Sequence, residues 1–324
     1  MIDSLIRPVN VFLAGYSYLK GSVTGKAEIK GMPVSVSAEL TNICNLQCPQ
    51  CSSGSGRMQR ERGFMDFELF NKVMKELKPY LYNINLYFQG EPMLHPLFFS
   101  FLENSLTPHT IVSTNGHFLS EENSDKIVRS RLNKLIISLD GIDQETYSIY
   151  RVNGRVNTVI DGLKNVARAK KRHKSSLKIE IQLLVNRFNE HQIPQIRQLT
   201  NSINATMSLK SMQILDKAVI GSWLPLNGRF RRYKIKDGKY IIKNSLPDRC
   251  ARFWFNPVIT WDGKVIPCCF DKNAEYVMGD LNHDSFSEIW NGSKYRIFRK
   301  SILSGRYMIE ICRNCTSGLR GVKY

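Results

Sequence analysis

The chain has 324 residues, 42% hydrophobic and 23% charged, with 21 glycines and 12 prolines, a balance that excludes a disordered or low-complexity chain. Its length suits one barrel-sized domain, or a large domain with a small one. Forty-six Lys and Arg against 28 Asp and Glu give a net charge of +18, which can attract nucleic acid, an acidic substrate or an anionic membrane surface.

Residues 1–32 read as an N-terminal arm. Their most apolar run, 9–19, is far shorter than the ~20 residues of a spanning helix; Pro8 precedes it and no small-residue cleavage site is evident. The expectation is a short amphipathic arm packing on the body, with peripheral membrane contact as the alternative and the cytoplasm as the location. From 33 to 216 apolar strands alternate with amphipathic helices. Strands are predicted at 34–39, 84–88, 110–113, 135–139, 179–185 and 209–214. Helices are predicted at 66–77, with Asp66 as N-cap and Pro79 beyond its end, at 120–131, where a Glu-Glu pair suits the helix dipole, and at 155–174 and 190–202. Six such units in series predict a parallel α/β architecture. The loops 89–92 (Gln-Gly-Glu-Pro), 114–116 and 140–141 fall at the C-terminal strand edge, where such folds bind ligands, although Asn-Gly and Asp-Gly are also plain turn formers.

Residues 217–247 read as a basic, turn-rich connector. Within 248–324 a hairpin is predicted, 256–261 with 264–267 about a two-residue Asp262-Gly263 turn, followed by a helix near 285–300, in a separate small domain. Two stretches, 163–178 and 228–243, concentrate Lys and Arg against one acid, Asp237. No nucleic-acid motif with interleaved aromatics accompanies them, so a solvated basic face is the plainer reading.

The eight cysteines are grouped at 44/48/51, 250, 268/269 and 312/315, which points to metal or cluster ligation rather than a disulfide framework. Cys44, Cys48 and Cys51 supply three thiolates from one loop after the first strand. A cubane cluster is normally held by four thiolates, so three leave one iron open to a substrate, and the short spacing lets one loop wrap three corners. Gly54, Ser55 and Gly56 follow, letting backbone N–H groups approach the sulfides. A zinc site with a distant fourth ligand is the alternative, although zinc motifs more often come as paired C-x-x-C units.

The triplet, the Gln-Gly-Glu-Pro loop and the repeated strand–helix units resemble the radical S-adenosylmethionine (SAM) superfamily over residues 33–216. The resemblance implies a partial (β/α)6 TIM barrel and a SAM-cleaving 4Fe–4S cluster on Cys44, Cys48 and Cys51. The family's Gly-Gly-Glu-Pro loop falls on Gln89, Gly90, Glu91 and Pro92, so Glu91 would bind the SAM ammonium and Gly90 would admit its methionyl backbone. Ser113 and Asn115 match the position that contacts ribose and carboxylate, and Ser138 and Asp140 match the loop after the fourth strand. Arg151 is a candidate carboxylate partner, and Gln182 on the fifth strand would face the cofactor. Gln89 replaces the usual first glycine, and Gln50 stands where many members carry an aromatic residue.

Cys250, Cys268, Cys269 and Cys312-x-x-Cys315 resemble the SPASM/twitch extension of such barrels, a small cysteine-rich α+β auxiliary-cluster domain. Five cysteines suffice for one auxiliary 4Fe–4S cluster, on Cys250, Cys268, Cys312 and Cys315 with Cys269 spare or exchanged for Cys268. A four-cysteine zinc knot is the alternative.

On this resemblance the chain would cleave SAM reductively to a 5′-deoxyadenosyl radical and abstract hydrogen from a small sugar-like molecule or a peptide. A second electron passing to the auxiliary cluster would complete an oxidation. No peptide-binding module is visible at either end, which favours the small molecule. A flavodoxin or ferredoxin is the expected electron donor. Asp216, Lys210, Arg252 and Asp271 are candidate substrate contacts that compete with surface or packing roles. A basic, zinc-stabilised nucleic-acid-binding protein would explain the charge and the cysteines, but not Gln-Gly-Glu-Pro or the strand–helix succession. Radical modification of nucleic acid would use both features.

Overall fold

The computed structural model describes residues 2–105, 107–243 and 246–315; residues 244–245 of the expected connector and 316–324 of the expected cysteine domain lie outside the described residues. Six strands run in order through the first two thirds of the chain: β1 (Ser35–Ala38), β2 (Asn83–Asn85), β3 (His109–Thr114), β4 (Lys134–Ser138), β5 (Lys178–Val185) and β6 (Thr206–Ser211). Five further ones follow: β7 (Tyr233–Lys236), β8 (Lys239–Ile242), β9 (Val258–Ile259), β10 (Lys264–Ile266) and β11 (Gly279–Asp280). The fold is α/β with mostly parallel strands, as expected.

The chain forms two compact units. One comprises Met1–Ile43, Gln59–Thr110 and Leu246–Ser317; the other comprises Cys44–Met58 and Ile111–Ser245. In the first, β1 pairs parallel with β2 on one edge (Val36 opposite Ile84) and with β9 on the other (Ser37 opposite Val258). β9 and β10, then β10 and β11, pair antiparallel. The cysteine-bearing hairpin is thus an extension of the sheet around β1. Helix Phe67–Leu77 is capped by Asp66, whose side chain accepts from Leu69 N, and buries Phe70, Val73, Met74 and Leu77 at helical spacing. At the end of β1, Glu39 is fully buried and takes a two-pronged ion pair from Arg60, 2.7 Å at each oxygen.

The N-terminal arm is a 23-residue helix, α1 (Ile2–Thr24). Asn10 fixes it, donating to Met32 O at 3.0 Å and accepting from Met32 N at 2.7 Å, and Ser17 Oγ accepts from Lys30 N at 2.9 Å. Among the described residues no helix is long and apolar enough to cross a membrane.

In the second unit β3 to β6 are parallel neighbours (Val112 opposite Leu135, Ile137 opposite Ile181, Leu183 opposite Leu209). β5 alternates strictly: Ile179, Ile181, Leu183 and Val185 are buried, the residues between them less so. Helix Val156–Arg172 buries Val156, Val159, Leu163, Val166 and Ala169, a stripe at periods of three and four. The basic run on its other face is partly neutralised, with Lys164 on Asp161, Arg168 on Glu121 and Arg172 on Asp125.

Several element bounds differ from expectation. β6 begins opposite Glu180 and ends at Ser211; Met212 and Ile214, read as its apolar end, instead enter a buried cluster with Ile220, Leu224 and Tyr233. The bridging of β2 ends at Asn85 rather than running to 88. The hairpin at 258–266 has a three-residue loop, not a two-residue one: Thr260 N bonds Lys264 O and Gly263 N bonds Thr260 O, enclosing Trp261, Asp262 and Gly263. The helix near 285–300 is two helices, Phe286–Asn291 and Ser293–Gly305, broken at Gly292, which has extended backbone. The basic connector holds an ordered hairpin, β7 with β8, turned by Asp237 and Gly238, both at positive φ.

Candidate functional site

Cys44, Cys48 and Cys51 share a tight loop. Cys48 O accepts from Cys51 N at 3.2 Å, Cys51 O accepts from Ser55 N at 2.9 Å, and Gln47 N reaches Val152 O at 3.0 Å. Leu46 and Cys48 are buried with Tyr150, Met212 and Tyr233, while Cys44 and Cys51 pack half-exposed against that cluster. One thiol is therefore deep and two are accessible. Gln50 is buried, and its Oε1 accepts from Leu215 N at 2.8 Å and from Asp216 N at 3.3 Å. The polar residue in place of an aromatic thus ties the thiol loop to the chain after β6.

Two further ties come from the ends of the strands. Asn115, just past β3, donates from Nδ2 to Asn45 Oδ1 at 2.8 Å and lies 3.9 Å from Cys44 Sγ. Its own Oδ1 faces His117 Nδ1 at 3.0 Å, while His117 Nε2 lies 2.9 Å from Arg155 N. Because the Arg155 N–H can only donate, Nε2 is the acceptor and Nδ1 carries the proton; the imidazole is neutral, in keeping with burial, which lowers its pKa. Asp140, fully buried after β4, receives Arg151 Nε at 2.6 Å and Leu184 N at 2.7 Å. Arg151 Nη1 comes within 3.9 Å of Cys48 Sγ. Burial opposes the charge of Arg151, but Asp140 and the Cys48 side chain hold its pKa well above the ordinary value. Burial pushes the Cys48 thiol up to about 12, with Arg151 pulling the other way, so ligation there is coupled to loss of a proton.

Ser138 is the register partner of Gln182, and Ser113 that of Ile136. Since side chains of adjacent partners share a face, Ser113, Ser138 and Gln182 lie on one face of β3–β5, together with the Lys134–Glu180 ion pair. Lys210, opposite Leu184 on β6, joins that face. The other face carries Leu135, Ile137, Ile181 and Leu183, all buried. One side of this sheet is thus polar and the other is core.

The Gln89–Pro92 loop belongs to the first unit. Gly90 sits at φ 72° with no room for a side chain: a Cβ would lie 2.5 Å from Thr41 O and 2.6 Å from Ile43 O. Glu91 is buried, donates its N–H to Ile43 O at 2.8 Å, and accepts from Met93 N at 3.1 Å, capping the turn Pro92–Leu94. Ile43 directly precedes Cys44 in the chain.

The second cysteine group is also in the first unit. Cys250, Cys268, Cys312 and Cys315 are each at most 4% exposed, and Cys269 is less buried. Burial raises the thiols of Cys250 and Cys268, and pushes that of Cys312 up to about 11. Phe270 N lies 3.4 Å from Cys268 Sγ and Arg306 Nη2 lies 3.3 Å from Cys315 Sγ. Arg306 is itself buried; Nη1 donates to Arg249 O at 3.1 Å, and Nε has no partner among the described residues. No carboxylate pairs with its guanidinium among the described residues. A buried cation beside three of these thiols, Cys250, Cys312 and Cys315, with an unused donor, fits an anionic group held by thiolates. None of the eight cysteines forms a disulfide. Among the described residues no three His, Cys, Asp or Glu side chains converge on a point that would hold a single metal ion.

The looser candidates for substrate contact fare differently. Asp271 is fully buried, accepting from Glu275 N and Tyr276 N, and serves its own turn. Asp216 pairs with Arg57 at 3.0 Å and caps Ala218. Arg252 lies among the second group of thiols, and its charge is favoured most by Cys269. His117, Arg155 and Arg306 were not predicted from sequence; Asn-Gly-His after a strand offered a weak signal for the first, and nothing local marked the other two.

Comparisons with known proteins bear on both cysteine groups. A family model described as the radical SAM superfamily matches residues 38–200, and one described as an iron-sulfur cluster-binding domain (SPASM) matches residues 250–316. The tungsten-containing aldehyde ferredoxin oxidoreductase cofactor-modifying protein of Pyrococcus furiosus is 25% identical over 315 residues, covering 86% of each chain. The S-adenosyl-L-methionine-dependent 2-deoxy-scyllo-inosamine dehydrogenase of Niallia circulans is 24% identical over 289 residues, covering 87% of this chain and 92% of that one. Among solved structures, Streptococcus suis SuiB bound to precursor peptide SuiA superposes with a TM-score of 0.63 at 12% identity, covering 88% of this chain and 71% of that one. That last likeness is one of fold, and a partial TIM barrel agrees with it.

Proposed function

The chain belongs to the radical SAM superfamily and carries a SPASM-type iron–sulfur domain, and on that premise we propose that it oxidises a secondary alcohol of a small sugar-like or aminocyclitol-like substrate. Its relatives include enzymes, the family binds SAM and 4Fe–4S clusters, and similar proteins are named for small-molecule and for peptide partners. The non-catalytic zinc reading is not retained.

The observation that carries the oxidation is the enclosure of the second thiol group. Cys250, Cys268, Cys312 and Cys315 are all buried; together they would hold a cluster by four thiolates, an arrangement that would suit electron transfer. The burial of Cys268 and the Phe270 N–H aimed at its sulfur favour it over Cys269. The match with a dehydrogenase of comparable length, over 87% of this chain and 92% of that one, supports the same chemistry.

When bound, the two clusters would supply the one-electron chemistry that side chains lack: the one on Cys44, Cys48 and Cys51 would provide the electron for reductive SAM cleavage, and the one on Cys250, Cys268, Cys312 and Cys315 would accept the electron that the oxidation releases. In the net balance a secondary alcohol and the SAM sulfonium give the ketone, methionine, 5′-deoxyadenosine and one proton. Cys44, Cys48 and Cys51 hold the first cluster and leave one iron for SAM. Glu91 takes the SAM ammonium, Gly90 lets the methionyl group approach its backbone, and Gln89 and Pro92 shape that loop. Ser113 and Asn115 serve the ribose and carboxylate, with Asn115 also bracing the thiol loop. Arg151, kept charged by Asp140, holds positive charge beside that loop. Ser138 and Gln182 present hydrogen-bonding groups on the polar sheet face, where Lys210 adds a charge for the substrate. A reduced flavodoxin or ferredoxin supplies the electron.

The test is anaerobic reconstitution with iron and zinc quantified, followed by SAM, dithionite and a panel of aminocyclitols, sugar alcohols and short peptides. The expected result is about eight irons per chain from two four-iron clusters, and a ketone formed in step with 5′-deoxyadenosine. Cys48→Ala should abolish SAM cleavage, while Cys312→Ala should still form deoxyadenosine yet yield no ketone. Modification of peptides alone, or zinc without iron, would sink the proposal.

A further inference from the structure

Helix α1 is amphipathic in the wrong sense for a helix that only packs on its own protein. Its fully buried residues are small, Asn10, Ala14, Ser17 and Gly21, with Tyr18 half-buried edge-on to Trp254 and Phe255. Its exposed face is apolar: Leu5, Val9, Phe12, Tyr16, Leu19 and Val23 recur at steps of four and three along the whole helix, with Phe12 72% and Leu19 64% exposed. From residue 5 to 23 every strongly exposed residue is apolar. A stripe of this length and regularity marks a surface meant to be covered.

Charge selects what covers it. Between residues 5 and 32 the bases are Arg7, Lys20, Lys26 and Lys30, and the one acid, Glu28, is paired with Lys20 at 2.7 Å. Two copies meeting along this stripe would bring flanks of one sign together, whereas paired helices draw on complementary flanking charges. Beside the stripe, Ile6 and Arg7 of α1 join Met74, Lys75, Lys78 and Pro79 in lining a cavity of about 600 Å³. None of its three cations pairs with a carboxylate among the described residues; Arg7 instead bonds the carbonyls of Leu81 and Lys78. An apolar stripe, flanks of one sign and a basic recess of headgroup size are what an in-plane helix needs on a bilayer bearing negative charge.

We infer that α1 seats this protein on the surface of an anionic phospholipid bilayer, with Phe12 and Leu19 immersed and Arg7, Lys75 and Lys78 at the phosphate level. The helix is too polar on its inner face, and too well tied through Asn10 and Ser17, to leave the body. The whole enzyme is therefore carried to the membrane rather than anchored by a released tail.

The experiment is co-sedimentation of the full chain with vesicles of phosphatidylglycerol and phosphatidylcholine mixed, and of phosphatidylcholine alone, alongside light scattering for the solution mass. The expected result is binding to the mixed vesicles, much weaker binding to the neutral ones, and weakening with salt. Phe12→Glu with Leu19→Glu should raise the lipid concentration for half-binding at least about a hundredfold. Lys75→Gln with Lys78→Gln should raise it about thirtyfold, at ~1 kcal/mol per charge. Both pairs are surface changes, and unaltered melting would confirm that the fold is kept. Binding that survives the Phe12/Leu19 change would place it on the other basic segments and overturn the inference. So would a monomer that ignores anionic vesicles, or a dimer that Phe12→Glu dissociates, since the stripe would then be a protein interface.

Discussion

Replacing Gly90 by alanine tests whether the Gln89–Pro92 loop acts through its closeness to the residues that lead into the first thiol. Gly90 and Gly238 have nearly the same backbone, φ 72° and 69°, so an added Cβ meets about the same left-handed penalty, ~1–2 kcal/mol. Their surroundings differ. Around Gly238 there is nothing within 4 Å, whereas at Gly90 the new atom would lie 2.5 Å from Thr41 O and 2.6 Å from Ile43 O, where ordinary contact begins at 3.4 Å. Those are backbone atoms, and they must retreat by 0.8–0.9 Å, disturbing the Glu91 N–H bond to Ile43 O. Overpacking of that kind adds ~1–3 kcal/mol. Displacing the approach to Cys44 by nearly an ångström should slow SAM cleavage about a hundredfold. The assay is 5′-deoxyadenosine formation with dithionite, read with iron content and thermal melting for Gly90→Ala and Gly238→Ala in parallel. Gly238→Ala should lose a few degrees and keep its rate. Equal melting and equal rates for the two would refute the reasoning, because only crowding separates them.

Arg306→Gln should lower the reduction potential of the auxiliary cluster by on the order of 60 mV, a tenfold change for a one-electron couple, since the residue donates to Cys315 Sγ from a buried position. Arg306→Lys should restore part of it, and a redox titration followed by electron paramagnetic resonance reads both; an unchanged potential would mean the guanidinium does not touch the ligand sphere. His95 gives the pH prediction. Its Nδ1 accepts from Leu97 N and its Nε2–H donates to Met65 O, so it is neutral, and burial holds its pKa below the ordinary ~6.5. The unfolded chain takes up that proton first as pH falls. Stability should therefore be full above about pH 6.5 and decline below it, by up to ~1.4 kcal/mol per pH unit for the one group. Denaturant melts of wild type and His95→Gln should show the difference, and parallel pH profiles would refute it.

What the sequence made legible is what is local. The spacing of Cys44, Cys48 and Cys51, the Gln-Gly-Glu-Pro loop and the alternation in β5 depend on neighbours within a few residues, and one loop or strand realises each of them. What it hid is long-range. Met212 and Ile214 looked like a strand because their apolar spacing suits one, but burial against Ile220 and Tyr233 met the same demand without pairing. The Asp237-Gly238 turn signal was in plain view, and the surrounding lysines drew the reading toward a solvated connector. No motif singles out Arg306 as a partner for thiols: Cys315 lies nine residues on, and Cys250 reaches it only through tertiary folding. α1 shows the same limit from the other side. Its amphipathy was legible, but not that Asn10 and Ser17 would be the inward residues, since their bonds go to Met32 and Lys30 on a later segment.

The pairing of β1 with β9 joins Ser37 to Val258, and it sets a timetable for synthesis. One edge of β1 can be filled as soon as β2 leaves the ribosome, but the other must wait until about 220 residues beyond β1 have been made. At ~5–20 residues per second, that edge stands bare on the nascent chain for roughly 10–40 s. An unpaired strand edge is a template for wrong partners, and a contact of such sequence separation forms slowly even once both halves exist. Slowing translation lengthens the exposure, and truncation before residue 258 makes it permanent. The strand that completes the sheet beside β1 is thus also the one that closes this window of exposure.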